Sequence, residues 1–85
     1  MRFLTLAAAL LGVLLSLPAA AAELAADVVA VRDRWAEVKY DVPEDQRDTA
    51  FETLAKQAEA ARTAHPDDAG ALIWEGIVLS SWAGE

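Results

Sequence analysis

Leu54–Gly84, LAKQAEAARTAHPDDAGALIWEGIVLSSWAG, decides the fold of this chain, because it reads as a helix, a tight turn and a second helix. Ala58 and Ala61 are small residues three apart on the first of these helices. Pro66 stops it, since proline cannot donate a backbone hydrogen bond, and the short carboxylates of Asp67 and Asp68 suit the cap of the next helix. Gly76 then offers a place where the second helix approaches its neighbour closely. The expected partners of Gly76 are Ala58 or Ala61, because small side chains on both sides bring two helices to the close end of the roughly 8–10 Å range.

Upstream, Phe51, Leu54, Ala58 and Ala61 recur at spacings of three, four and three, which predicts one helix over about Glu44–His65. Glu52 and Lys56 sit four apart on its outer side. Pro43 suits the first turn, and Glu44, Asp45 and Asp48 place negative charge where the helix dipole favours it. Before the break at Asp41-Val42-Pro43, Leu24, Val28, Val31, Trp35 and Val38 form one stripe, with Asp27, Arg32, Asp33, Arg34, Glu37 and Lys39 on the other side. A first amphipathic helix over about Glu23–Tyr40 follows. Ala69–Ala83 differs in kind: Leu72, Ile73, Trp74, Ile77, Val78, Leu79 and Trp82 surround most of its circumference, so more than one side should be covered. The fold class is all-α, built of antiparallel helical hairpins joined by short turns.

The first 22 residues stand apart. Arg2 supplies a positive charge, Phe3–Leu17 an apolar run, Pro18 a break, and Ala19–Ala22 small residues of the kind a signal peptidase cleaves. Residues 1–22 therefore read as a secretory signal peptide and 23–85 as the helical region, with cleavage after Ala22 or Ala21. The rival reading is a retained signal anchor, because Phe3–Ala22 is roughly the 20 apolar residues that cross a bilayer. Either way the bulk of the chain is directed outward, Arg2 being the only positive charge near the segment.

Of the 85 residues, 63 remain after residue 22, carrying six Lys and Arg against fourteen Asp and Glu, a net charge of −8. So acidic a chain lacks the basic stripe that nucleic acid or anionic lipid requires. With no cysteine it has neither disulfides nor thiolate metal ligands, nor the sulfur needed for lipoprotein anchoring. A core of this size is marginal without such staples.

The pattern from Leu54 to Gly84 resembles the tetratricopeptide repeat (TPR), a 34-residue pair of antiparallel helices with the pattern W-x₂-L-G-x₂-Y, A-x₃-F and a later Pro. Pro66 sets the register. Ala61, Pro66 and Gly76 match it, Leu72 and Leu79 stand at the aromatic positions, Glu75 stands at a buried Leu, and Leu54 with Ala58 inverts large and small. No second repeat is found at a period of 34, since the equivalents of Leu72 and Gly76 are Val38 and Val42 at the Pro43 break. The resemblance implies a TPR-like α-solenoid start: the second helix of an atypical terminal repeat, then the first helix of the next. Arrays of this kind need about three units for stability, so an incomplete N-terminal fragment is expected, similar to the TPR-containing proteins that bacteria export to the periplasm.

No constellation carries catalysis, and no cofactor is implied. His65, with Asp67 and Asp68, is too small a ligand set for a metal and fits a helix C-terminus instead. Asp41, Glu44, Asp45 and Asp48 lack calcium-loop spacing and a cleft for hydrolysis. Ser80 and Ser81 lack the G-x-S-x-G turn and read as helix-surface residues. The aromatic residues remain: Trp35 lies on a core stripe, whereas Trp74, Leu79 and Trp82 are the candidate interaction residues, Trp82 being the one expected to be most open. The expected function is a non-catalytic periplasmic or secreted scaffold that binds a protein or peptide, or the missing downstream helices of the same protein. The alternative is a small membrane-tethered helical protein with its signal anchor retained. In either case some of Ile73, Ile77, Leu79 and Trp82 should form an exposed apolar patch.

Overall fold

The computed structural model describes residues 23–85, and the signal segment assigned to residues 1–22 lies outside them. The described residues form three α-helices and no strand: α1 over Ala26–Asp41, α2 over Glu44–Ala64 and α3 over Ala69–Ala83. The fold class is all-α, as the periodicity predicts.

The breaks fall at the prolines. Val42 ends α1 in extended geometry, as a residue before proline must, and its N–H donates to the Glu37 carbonyl at 3.1 Å. Pro43 occupies the cap position just before α2, one residue earlier than the first-turn place expected. His65 closes α2, its N–H shared between the carbonyls of Ala61 and Arg62, and Pro66 prevents another turn. Asp68 alone caps α3, its Oδ1 accepting from the Gly70 N–H at 2.8 Å, while Asp67 is exposed.

The first helix starts at Ala26 rather than at Glu23, with Ala25 extended in the cap position and offering no side-chain oxygen to the first turn. Leu24 consequently lies outside the helix and its side chain folds over the α-carbon of Gly70. Gly70 is therefore the glycine of close approach. Gly76 is not: it is exposed, and a Cβ built on it meets nothing within 4 Å. The expected pairing of Gly76 with Ala58 or Ala61 is overturned, and the small residue that α3 does bury is Ala71.

Cross-helix contacts fix the direction of each element. His65 at the end of α2 meets Asp27 at the start of α1, so these two run antiparallel. Trp82 at the end of α3 reaches Asp48 near the start of α2, so those two are antiparallel also. All three helices share one core, with Val28, Val31 and Val38 from α1, Phe51, Leu54, Ala55, Ala58 and Ala61 from α2, and Ala71 and Val78 from α3. The stripe predicted for α2, Phe51, Leu54, Ala58 and Ala61, is buried throughout, whereas of that predicted for α1 Val28, Val31 and Val38 are buried, Trp35 is half-buried and Leu24 lies outside the helix, half-buried. Ala55 adds a second row on α2, which lies between both neighbours and needs two contact faces. No polar or charged residue among those described is buried.

Candidate functional site

The third helix carries the feature that calls for explanation. Its inner side consists of Ala71 and Val78, fully buried, flanked by half-buried Trp74, Glu75, Ser81 and Trp82. Its outer side consists of Ala69, Leu72, Ile73, Gly76, Leu79, Ser80 and Ala83, all exposed, with Ile77 half-buried at one edge. Leu72 is 52%, Ile73 59% and Leu79 46% exposed, although each is large and apolar. An isolated exposed leucine is ordinary, but three in a row along one helix form a contiguous patch.

The same face is free of charge. Glu75 is the only ionisable residue on α3, and its Oε1 is turned inward to the Arg62 Nε of α2 at 2.7 Å. Partly exposed, this pair is worth at most about 1 kcal/mol, but it keeps the carboxylate off the outer face.

The tryptophans are held from inside. Trp35 Nε1 donates to Ser81 Oγ at 2.8 Å, and that hydroxyl donates in turn to the Ile77 carbonyl at 2.8 Å. Ser81 is thus a half-buried link between α1 and α3, not the surface residue expected from sequence. Trp74 meets Trp35 edge to face at 5.8 Å between ring centroids. Trp82 donates from Nε1 to Asp48 Oδ1 at 2.9 Å and packs against the core, so it is half-buried where the sequence reading makes it the most open residue. Of the three interaction candidates only Leu79 is exposed. Leu72 and Ile73 stand beside it on the outer face; Ile73 and Leu79 are among the residues expected in an exposed patch, whereas Leu72 is not, because apolarity all round the helix hides its outward face from periodicity.

The remaining candidates are accounted for by their contacts. His65 Nε2 lies 2.9 Å from Asp27 Oδ1 and 3.0 Å from Oδ2, an ion pair when the ring is protonated, and it fastens the end of α2 to the start of α1. Asp48 receives the Trp82 N–H, whereas Asp41, Glu44 and Asp45 are exposed. Among the described residues no three His, Cys, Asp or Glu come together as metal ligands. Arg47 holds the α1–α2 turn by donating to the Val42 carbonyl at 3.2 Å, with Glu85 at 3.7 Å from its other terminal nitrogen. Arg47, Lys39, Tyr40 and Phe51 line an open cleft, where the Lys39 ammonium lies 5.3 Å from the Trp35 ring centroid. Among the described residues no helix is long and apolar enough to cross a membrane.

What the arrangement offers chemically is an uncharged, apolar helix face, with Trp35 and Trp82 hydrogen-bonded behind it. No family model, curated protein or solved structure matches the chain.

Proposed function

We propose that the protein is a non-catalytic helical scaffold, exported to the periplasm or secreted, that binds a protein or peptide partner through the outer face of α3. One observation carries this reading: Leu72, Ile73 and Leu79 stand exposed together on a helix face without a charge. Exposed apolar patches of a few hundred Å² or more are what protein-binding sites present.

The resemblance to the tetratricopeptide repeat supports the same surface. Leu72, Gly76 and Leu79, which the resemblance places at the family's Trp, Gly and Tyr positions, all lie on the outer face of α3. In a longer array that face is where the helix's own hairpin partner would pack. The scaffold reading therefore rests on a helix face suited to receiving another helix.

The test is a photoactivatable phenylalanine derivative placed at Ile73 in the full chain, expressed in a cell that exports it, with the same group at Asp33 on the exposed side of α1 as control. A discrete adduct from Ile73 and none from Asp33 is expected. Equal labelling at both positions, or none at either, would overturn the proposal.

A further inference from the structure

We infer that the occupant of this face is a second copy of the same chain, docked with its α3 antiparallel to the first, an inference that rests on the binding role proposed above. Ala69, Leu72, Gly76, Leu79 and Ala83 follow one another at spacings of three, four, three and four, and all five are exposed. This is the a/d spacing of a helix-pairing seam, with a small residue at every a and leucine at every d.

Self-pairing follows from the sizes. In an antiparallel pair, residue numbers facing one another sum to a constant. If Gly76 faces Leu79 of the second copy, then Leu79 faces its Gly76, Leu72 its Ala83 and Ala83 its Leu72. Each of these four layers then holds one leucine and one small residue, with Ala69 outside the paired stretch, so the gap between the helices is even along the seam. Setting Gly76 against Leu72 instead gives the same alternation. A parallel pair would place leucine on leucine and small on small, and the seam would alternate between crowding and voids, both of which are costly. One sequence thus supplies both halves of a two-fold symmetric interface.

Charge and area set the strength. The seam desolvates no ionisable group, but each copy carries a net −8 over residues 23–85, so repulsion opposes the pairing at low ionic strength. The face offers four large side chains, Leu72, Ile73, Ile77 and Leu79, against the roughly 20–30 residues a side of a standard stable interface. The dimer is therefore weak, concentration-dependent and strengthened by salt, whereas a basic partner would be released by salt.

The sequence contains no cysteine, so single introduced cysteines report the pairing directly. The full chain carrying Gly76→Cys, where a Cβ has open space, should form a disulfide-linked dimer on mild oxidation, since residue 76 lies near the two-fold axis. Ala69→Cys should not, because antiparallel packing sets its two copies about 15–25 Å apart along the axis, well beyond disulfide reach. Adding Leu79→Glu to Gly76→Cys should lower the cross-linked yield at least about tenfold, the equivalent of 1.4 kcal/mol. Raising salt to about 1 M, where charges more than ~3 Å apart are screened, should increase it. Failure of Gly76→Cys to cross-link, equal yields from Gly76→Cys and Ala69→Cys, or a yield that falls with salt overturns the inference. A photoadduct from Ile73 of some other mass, together with no Gly76→Cys dimer, overturns the second copy alone and leaves the binding role standing.

Discussion

Gly76 sits in the middle of α3 with its α-hydrogens toward solvent and no neighbour within 4 Å of the place a Cβ would take. A glycine there gives up backbone entropy on folding without a packing return inside its own chain. Gly76→Ala should therefore raise the stability of a dilute sample by about 0.5–1 kcal/mol, read as a higher urea midpoint at unchanged slope. A loss of stability in the dilute monomer would mean that a neighbour within the chain packs against this residue after all. Gly70 behaves differently, since the Leu24 side chain already covers it and the capping oxygen of Asp68 lies 3.1 Å from the added carbon. Ser81 makes a comparable point in polar terms. Its hydroxyl both accepts from Trp35 and donates to Ile77, using its donor and one of its lone pairs in a half-buried place where an unpartnered indole N–H would cost about 1–3 kcal/mol.

Helix ends are where the chain spends its special residues, and the cap of α3 shows it. Asp68 accepts the Gly70 N–H and Asp67 does not, so Asp68→Ala should cost about 1 kcal/mol and Asp67→Ala close to nothing in the same denaturation assay. Equal losses would show that the cap is shared. At this scale the sequence is most legible, because Pro43 and Pro66 punctuate it and the valine and alanine stripes of α1 and α2 have a clear period. The three helices, their order and nearly all their bounds can be read from it. The orientation of α3 cannot, since a helix apolar around its whole circumference has no preferred face for periodicity to find. With no face to correct them, residue size assigns Gly76 inward and position near the end of the sequence leaves Trp82 open, whereas in the structure Gly76 lies outward and Trp82 is tied to Asp48. Pairs such as Asp27 with His65 and Trp35 with Ser81 join residues far apart in the chain, and local sequence carries no signal for them.

Taken whole, the described unit is an up-down-up bundle with a thin centre. Four of its ten buried core residues are alanine, and only Phe51 and Leu54 are both large and fully enclosed on α2. Alanine allows the helices close approach but buries little apolar surface, so the bundle belongs to the small domains whose stability is a few kcal/mol at best. The half-buried indoles compensate in part, since each packs a broad ring against the core edge and anchors it with a directed bond or an edge-to-face contact. That indole pair has an optical consequence. Trp35 and Trp74, with ring centroids 5.8 Å apart and ring planes inclined at 62°, belong to different helices, and the transition dipoles of indoles that close couple excitonically. The circular dichroism of the folded chain should then carry a couplet superimposed on the helical bands, abolished by Trp35→Phe or Trp74→Phe and retained in Trp82→Phe. Because the couplet depends on two helices being docked and the helical bands do not, heating should separate the two signals if the helices part before they unwind. A couplet that survives Trp74→Phe would place its origin elsewhere.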